Sequence, residues 1–583
     1  MTETELDKAV ALHRQGRLAE AEPIYLAWLA AHPAHAGALQ MLGLLFLQTG
    51  RMAEGVALIE RAVDLGGTGA DAWTNLGLGR LALRHAQEAL AAFDAALGLA
   101  PGEARLLRLR GAALTELGRA AEALDAFEAA LALEPGSAEG LADRGAVLRT
   151  LYRLPEALES YDRAIALNPG LAEAHNGKGG VLMDLRRHAQ ALEAFDRALA
   201  LKPELASAHN NRGQALLCLN RHETALASLD RAIALRPDLA EAHGNRGNVL
   251  SDLRRLPEAL ESFDAAIALR PQEPDLQVNK AIALLRAGRF AEAWPLYERR
   301  WRQPGAWPAD AFAEPEWTGA EELTGKSLFL HWEQGLGDTL QFCRYLPGLA
   351  QRCGRLAVSV QDPLLRLARC LEPGVQVLGA NERPAAVDLQ ARLLSLPGVL
   401  GFTLESLPVP TPLAAEPGLV AAWAARLGPR TRPRVGLAWS GNPAHASDHN
   451  RSMALDRLSG LLAADVDWVC LQKEIRDSDM PALRQTPQLR TFAESLTDFA
   501  ETAALIANLD LTITTDTSVA HLAGALGRPV WILLAHRPDW RWFEDRRDSP
   551  WYPTARLFRQ PAPGDWESVL EAVIAELATA LSA

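Results

Sequence analysis

The stretch from Leu509 to Leu534 places a polar turn between apolar segments, where chemistry is often found. Its segments are a β-branched run, a helix-forming run of small residues and a second apolar run, at Leu511 to Thr514, Val519 to Leu526 and Val530 to Leu534. This order predicts a βαβ unit. Ligands of such units bind beyond the carboxyl ends of the strands, where a helix amino terminus attracts anions. The turn residues Asp516, Thr517 and Ser518 therefore predict a site for a phosphate-bearing ligand.

A second turn of related chemistry lies earlier in the chain, where an apolar run from Leu328 leads into Gly335, Gly337 and Asp338. The pattern predicts a strand, a two-glycine turn and a helix. A carboxylate held at a strand end in a cleft is a candidate general base. Structural alternatives stay open at both turns. The glycines can serve only to allow positive φ, and Asp338, Asp516 or Ser518 can serve only to cap a helix.

Both turns belong to a region of alternating strands and helices that starts near Lys326. Further strands are predicted at Arg355 to Val360, Val375 to Leu378, Arg434 to Trp439 and Trp468 to Leu471. Prolines at Pro408, Pro410, Pro412 and Pro417 interrupt the alternation and predict a hinge. We therefore expect two parallel-sheet lobes, residues 326–415 and 416–583, whose strand ends face each other across a cleft.

Glycine recurs every 34 residues in the first half of the chain. The positions are Gly43, Gly77, Gly111, Gly145, Gly179, Gly213 and Gly247. A small residue follows twelve positions later and a bulky residue four positions after that, and a proline usually ends the unit. Small residues let two helices approach, and the bulky side chain fills the space between them. The pattern resembles the tetratricopeptide repeat and predicts about nine units in residues 1–305, stacked as a right-handed superhelix with a concave groove.

Asparagine recurs two positions before the glycine position of the repeat, which alanine occupies after the last of them, at Asn75, Asn211, Asn245 and Asn279. In the repeat family this position lies near the groove, where amide groups can bind the backbone of an extended peptide. The alternative is that each asparagine satisfies a neighbouring helix end. Three histidines also recur in phase, and we expect them to pack rather than to bind a ligand: His175, His209 and His243.

The composition excludes several other classes of protein. The net charge of −13 argues against nucleic acid as the main partner, because phosphate binding requires a basic face. The five cysteines are scattered without Cys-x-x-Cys spacing, which argues against a disulfide framework and a zinc site. The amino terminus lacks the features of a signal peptide, and no apolar run favours a membrane span. We expect a cytoplasmic protein.

Two further groups of residues have more than one interpretation. Aromatic residues and arginines alternate from Trp531 to Tyr552, and they can either stack on a base or sugar or form an interface between domains. His445, Asp448 and His449 lie in one loop, which supplies too little geometry for a metal ion. We predict no metal site.

Considered together, the turn Gly-Leu-Gly-Asp338 and the run from Asp516 through His521 to Gly-Arg-Pro resemble the heptosyltransferase-type glycosyltransferases of family nine. That family has the two-lobed GT-B fold. The resemblance therefore implies an all-α tetratricopeptide superhelix, a linker at residues 306–325 and an α/β GT-B region of two Rossmann-like lobes. It also implies a nucleotide-diphosphate sugar as substrate, bound by the second lobe, with no separate cofactor.

The resemblance also implies roles for single residues. Asp338 matches the proposed base. The residues that match the donor-binding positions, the last two only loosely, are Asp516, Thr517, Ser518, His521, Arg451 and Glu474. The family often has glycine where Ser518 stands.

The sequence as a whole predicts a metal-independent glycosyltransferase of hexosyl or heptosyl type. Its repeat array would present the acceptor, with a protein or peptide as one candidate, in a layout similar to that of protein O-GlcNAc transferases. The alternative is a repeat scaffold for protein-protein interaction, whose GT-B region does not catalyse transfer.

Overall fold

The computed structural model describes residues 3–66, 69–303, 312–371, 374–408, 413–444 and 448–582. The chain forms two compact units, Met1–Asn245 and Arg246–Ala583. The boundaries predicted at residues 305, 325 and 415 stay predictions. Pro410 and Pro412 of the predicted hinge and residues 306–311 of the predicted linker lie outside the described residues.

The first half forms pairs of α-helices that follow the repeat of the sequence. The helices are α1 (Glu3–Arg14), α2 (Leu18–Ala31), α3 (Ala36–Gln48), α4 (Met52–Asp64), α5 (Ala70–Ala82), α6 (Ala86–Leu99), α7 (Ala104–Glu116), α8 (Ala120–Leu133), α9 (Ala138–Thr150), α10 (Leu154–Leu167), α11 (Ala172–Asp184), α12 (His188–Leu201), α13 (Ala206–Cys218), α14 (His222–Leu235), α15 (Ala240–Asp252), α16 (Leu256–Leu269), α17 (Pro274–Arg286) and α18 (Phe290–Tyr297). The predicted helical repeat array is confirmed.

The repeat glycines lie where the two helices of a unit touch. A Cβ atom added at Gly77 would lie 2.5 Å from Phe93, and one added at Gly179 would lie 2.4 Å from Phe195. Since carbon atoms do not approach this closely, only glycine allows the aromatic ring to fill the space between the helices. The same contact recurs in the other units, for example between Gly247 and Phe263.

The turn inside each unit also repeats, because one residue in every turn has a left-handed backbone. These residues, spaced 34 apart, are Gly16, Gly50, Arg84, Gly118, Tyr152, Arg186, Asn220, Arg254 and Gly288. Glycine adopts this conformation without strain, whereas a side chain makes it less favourable. All nine turns keep this geometry, although five of them have a residue other than glycine at this position.

The second half contains two parallel β-sheets. The first comprises β1 (Ser327–His331), β2 (Arg355–Ser359), β3 (Val375–Leu378) and β4 (Leu389–Arg392), in the order β3-β2-β1-β4. The second comprises β5 (Arg434–Ala438), β6 (Asp467–Cys470), β7 (Leu489–Arg490), β8 (Leu511–Thr515), β9 (Val530–Leu534) and β10 (Ala555–Arg559), in the order β10-β9-β8-β5-β6-β7. The predicted α/β region is confirmed.

Short helices connect the strands. They are α19 (Leu336–Phe342), α20 (Leu346–Ala350), α21 (Leu365–Ala368) and α22 (Leu396–Val399) around the first sheet, then α23 (Pro417–Leu427), α24 (Asp448–Arg451), α25 (Ser459–Leu462), α26 (Met480–Arg484), α27 (Phe499–Ala507), α28 (Ser518–Ala525) and α29 (Trp566–Ser582) around the second. The core of the second sheet contains Val435, Trp468 and Ile513 from its strands, and Val573 of α29 packs against them.

The strand order gives each sheet one point where the connections diverge. In the first sheet β1 leads outward to β2, while β4 returns to its other side. In the second sheet β5 leads to β6, while β8 returns to its other side. Ligands of open parallel sheets bind at such points, next to the carboxyl ends of the strands. Asp338 follows β1 and Asp516 follows β8, so both predicted turns lie at these points.

Within the described ranges, none of the helices combines the length and the apolar character that crossing a bilayer requires.

Candidate active site

Asp338 lies in the first turn of α19, which begins directly after the loop that follows β1. Its Oδ2 atom accepts a hydrogen bond of 2.8 Å from the backbone N–H of Gly335, the residue that precedes the helix. Neither Gly335 nor Gly337 has positive φ, so the glycines do not serve that purpose. The capping role of Asp338 is real, but it uses only one of the two carboxylate oxygens.

The second oxygen of Asp338 binds an arginine from the other lobe. Arg541 Nη2 donates to Asp338 Oδ1 at 2.5 Å, and Arg541 Nη1 donates to Asp539 at 2.8 Å. Arg541 Nε donates to Gln341 on the face of α19. The guanidinium is therefore held between two carboxylates and joins the first lobe to the second.

The pKa of Asp338 depends on its burial and on the charges around it. Burial raises the pKa of Asp338 above that of an ordinary aspartate, although the Arg541 charge opposes the rise. The Asp338 side chain is 18% exposed, so it can still be reached from solvent. A carboxylate with a raised pKa at a strand end can accept a proton from an acceptor hydroxyl.

The two predicted turns meet directly, because α19 packs against α28. A Cβ atom added at Gly337 would lie 2.6 Å from His521 Cδ2. Gly337 therefore allows the close approach of the two lobes, which explains its presence better than backbone conformation does. His521 Nδ1 lies 2.9 Å from the Tyr552 hydroxyl, and the Trp542 ring lies 5.3 Å from the imidazole.

His521 is buried and uncharged. Burial, together with the nearby Arg541 charge, lowers its pKa to about 3. A neutral imidazole with one nitrogen bound to Tyr552 is fixed in orientation. In this structure His521 contacts the other lobe, and its predicted role as a donor ligand stays a prediction.

Asp516 lies at the carboxyl end of β8, before α28. The residue that precedes α28 is Thr517, whose side chain makes no capping bond, so neither Asp516 nor Ser518 acts as the cap. Thr517 Oγ1 instead lies 3.1 Å from Thr514 Oγ1. Burial raises the pKa of Asp516 to about 6, and the neighbouring Asp539 carboxylate contributes to the rise.

Arg451 lies beside Asp516, and its predicted role as a residue facing the diphosphate stays a prediction. Its Nη1 atom donates to the backbone carbonyl of Asp516 at 3.1 Å, and its Nε atom lies 3.8 Å from Asp448. A cation next to the amino end of α28 provides an electrostatic environment that favours an anion.

Glu474 does not join this group. Its side chain is exposed after β6, and among the described residues no hydrogen bond or ion pair connects its carboxylate with Arg451 or Asp516. The neighbouring Gln472 organises the loop instead. Gln472 Oε1 accepts from the backbone N–H groups of Trp439 and Ser440 at 2.8 and 2.7 Å.

The loop that contains Asp448 and His449 is organised by an ion pair. Asp448 accepts from Ser452 Oγ at 2.7 Å and from Arg476. His445 lies outside the described residues. Within the ranges that the structure describes, no three His, Cys, Asp or Glu side chains are grouped as a metal ion would need.

The repeated polar residues of the array bind one another or the chain itself. Asn211 Nδ2 donates to Asn176 at 3.0 Å, and Asn245 Nδ2 donates to Asn210 at 2.9 Å, each linking adjacent units. Asn75 and Asn279 are half-buried. The repeated histidines each lie near the carbonyl of a preceding proline, at 3.1 Å for His175, 2.9 Å for His209 and 2.9 Å for His243. The histidines thus have a structural role, whereas peptide binding by the asparagines stays a prediction.

The aromatic cluster forms an interface with the last repeat. Phe290 of α18 packs against Trp540, Phe543 and Trp551, and Trp294 packs against Trp540. All of these rings are buried. The interface interpretation therefore describes Trp540 and Trp551 better than stacking on a ligand does.

Sequence reasoning did not identify the partner of Asp338. It placed Arg541 only among the arginines of the aromatic cluster. The two residues lie 203 positions apart, and no motif connects them. The alternation of Asp539 and Arg541 around Trp540 is the one local signal of a polar cluster among buried rings.

Two family models match the chain. One, described as tetratricopeptide repeat, matches residues 6–70, 74–138, 142–206, 181–240 and 245–311, slightly more than half of the chain. The other, described as glycosyltransferase family 9 (heptosyltransferase), matches residues 483–542. That short match includes the Asp516 turn and Arg541, and it supports glycosyl transfer as the chemistry of the second half.

Individual proteins are similar to parts of the chain. Protein FlbA of Caulobacter vibrioides is 28% identical over 327 residues, in an alignment that covers 51% of this chain and 54% of that protein. The chain thus spans about half the length of this curated relative. A tetratricopeptide repeat protein from Parabacteroides merdae is 18% identical, with a TM-score of 0.38, over 43% of this chain and 98% of that one. A chain in the structure of the APC/C hetero-tetramer Cut9-Hcn1 is 21% identical, with a TM-score of 0.38. The match covers 48% of this chain and 55% of that one.

Proposed function

Because the chain belongs to the tetratricopeptide repeat proteins and its second half matches a glycosyltransferase family, we propose that it transfers a sugar from a nucleotide-diphosphate sugar to an acceptor. The observation that carries the proposal is the meeting of two turns. The turn with Asp338 and the turn with Asp516 lie at the divergence points of their sheets and share the Arg541 and Asp539 cluster.

The donor diphosphate binds in this proposal next to Arg451 and the amino end of α28. The charge of Arg451 and the unpaired N–H groups of the helix stabilise the negative charge that develops on the leaving diphosphate. Asp516 is part of the turn that binds the donor. Because its pKa is raised to about 6, its carboxyl group is partly protonated at mildly acidic pH, which reduces the negative charge next to the diphosphate. The reaction needs no separate cofactor.

Asp338 removes the proton from the acceptor hydroxyl as the oxygen attacks the anomeric carbon. Its Oδ2 atom is oriented by Gly335, and its Oδ1 atom by Arg541. Each carboxylate oxygen has a second lone pair, so both bonds are compatible with a role as base. The repeat array supplies the acceptor in this proposal, with a polypeptide as the candidate. The predicted cytoplasmic location stays a prediction.

The test uses the full-length protein and a panel of nucleotide-diphosphate sugars. We expect one of them to raise the melting temperature, because a ligand of the native state stabilises it. With that donor, Asp338→Asn should lower transfer or donor hydrolysis by about 100-fold or more while the thermal shift remains. Asp388→Asn, at the opposite end of the first sheet, is the control and should retain activity.

Unchanged transfer in Asp338→Asn would remove Asp338 as the base. The rival function, a repeat scaffold with a non-catalytic second half, is favoured by one observation. Both oxygens of Asp338 already accept hydrogen bonds from the protein, as in a purely structural residue. A thermal shift without turnover, or no shift with any nucleotide sugar, would support the scaffold.

A further inference from the structure

The last repeat, α17 and α18, contacts the loop that carries Arg541. This loop connects β9 to β10 and covers residues 535–554, and we refer to it as the β9–β10 loop. Arg541 binds Asp338 of the candidate site. Three residues later, Glu544 Oε1 accepts from Arg286 Nη2 of α17 at 2.6 Å. One short segment therefore contacts the site with one side chain and the last repeat with another.

The pair of Arg286 and Glu544 is buried and firmly oriented. The side chains are 3% and 11% exposed. Arg286 Nη1 donates to the carbonyl oxygen and the hydroxyl of Ser251 at 2.9 and 2.7 Å. Because Arg286 is bound at both ends of its guanidinium, it fixes the position of Glu544 relative to the repeat.

Arg254 and Arg537 strengthen this connection. Arg254 donates to Glu544 at 3.4 Å and also binds Asp545. Arg537, at the start of the β9–β10 loop, forms an ion pair with Asp252 at the end of α15. The loop is thus bound to the repeats on both sides of Arg541.

The residue between Arg541 and Glu544 that changes the chain direction is strained. Phe543 has φ of 53° and ψ of −170°. Among the described residues, the other non-glycine residues with positive φ lie in the repeat turns. Such a conformation persists only where the surroundings stabilise it. The Phe543 ring stacks on Phe290 of α18, with ring centres 6.1 Å apart and planes inclined by 27°.

We propose that Arg286 and Glu544 are positioning residues: together with the contact between Phe290 and Phe543, they hold the β9–β10 loop in the strained conformation in which Arg541 binds Asp338. The last repeat then helps to position Arg541 in the candidate site. A partner that moves α17 or α18 also moves Arg541. This inference rests on the proposed role of Asp338 for its catalytic meaning.

Hydrogen exchange of the full-length protein tests the coupling without any substrate. The variant is Glu544→Gln, which removes the charge at nearly constant shape. We expect faster exchange in residues 535–554 and also in residues 332–342, where the N–H of Gly335 binds Asp338. The second increase should be about tenfold, the scale of losing a hydrogen bond to a charged group.

The matched control is Arg289→Gln, which removes an exposed ion pair with Glu292 in the same repeat. It should leave residues 332–342 unchanged. Faster exchange in 535–554 with no change in 332–342 after Glu544→Gln would overturn the proposal, because a merely local structural role predicts that result. If Glu544→Gln also gives faster exchange in β5, a central strand of the second sheet, the substitution has destabilised the fold as a whole. The variant Arg286→Lys, which keeps the charge, is then measured instead, and the same outcome in residues 332–342 decides.

The outcome is separable from that of the proposed function. Absence of sugar transfer together with faster exchange in residues 332–342 would remove the transferase and retain the coupling. Transfer that depends on Asp338, with exchange in 332–342 insensitive to Glu544, would retain the transferase and remove the coupling.

Discussion

Gly337 shows how a single absent side chain determines the contact between the lobes. Its α-carbon faces His521, whose ring is enclosed by Trp542 and Tyr552 and cannot withdraw. Any Cβ atom at this position must therefore displace the helices. The glycine of the sequence motif is explained by packing, whereas the motif itself suggests a turn that needs positive φ.

We expect Gly337→Ala to destabilise the protein by about 1 to 3 kcal/mol, the range for overpacking a rigid interior. The measurement is the melting temperature of the full-length protein. Gly348→Ala is the control. A Cβ atom at Gly348 meets nothing within 4 Å, and the exposed helical site favours alanine. An equal effect of the two substitutions would show that the contact with His521 is not restrictive.

At the same scale, Arg541 illustrates why pairs of charges matter more than single charges. Burial alone would make both Asp338 and Arg541 unfavourable as ions, and each stabilises the other. Asp338 was identified by its place after a strand. The arginine beside it determines both its orientation and how readily it takes up a proton.

Among the elements, the turn between the two helices of each repeat is the most regular. Gly118 has φ of 72°, and Tyr152, in the next unit, has φ of 57° with an exposed side chain. Because a side chain destabilises the left-handed conformation, the two residues make the same turn at different free energies.

This difference predicts opposite effects of two substitutions. Gly118→Ala should destabilise the array by about 1 kcal/mol, and Tyr152→Gly should stabilise it by up to about 1 kcal/mol. The midpoint of urea denaturation measures both. Gly102→Ala, at a glycine without positive φ, should have little effect. A lower midpoint in Tyr152→Gly would contradict the interpretation of these turns.

At the scale of the whole molecule, the second compact unit contains helices from the repeats as well as both sheets. Its boundary lies between Asn245 and Arg246, inside α15. Contacts near the end of the array explain why. Trp294 donates to the carbonyl of Phe402, and Arg300 binds Glu333 in the loop after β1 at 2.9 Å. The last repeat belongs structurally to the α/β region.

The Arg300 and Glu333 pair provides a test at this scale. Their side chains are 5% and 3% exposed. Glu333→Gln leaves the buried Arg300 with Glu298 as its remaining carboxylate partner, at 2.7 Å, so the second unit should lose about 3 kcal/mol, the low end of the range for breaking a buried pair. Glu292→Gln removes an exposed partner in the same repeat and should change stability by less than about 1 kcal/mol. The melting temperatures of the two variants measure this difference in stability. A small effect of Glu333→Gln would show that the pair contributes little.

The sequence by itself determined the features that depend on local patterns. The spacing of Gly77 and Phe93 determines the helix pairs, because a small and a bulky residue must meet in each unit. The apolar runs around Asp516 determine a βαβ turn at a strand end. Strands such as β4, β7 and β10 escaped detection because they are short or mix polar and apolar residues.

Only the tertiary structure decided which distant residues meet. The contact of Asp338 with Arg541, the approach of Gly337 to His521 and the pair of Arg286 and Glu544 join positions that lie far apart in the sequence. No periodicity or spacing encodes such contacts, since they result from how separately folded elements pack. The chemistry of Asp338 depends on them, because burial and a neighbouring charge set its pKa.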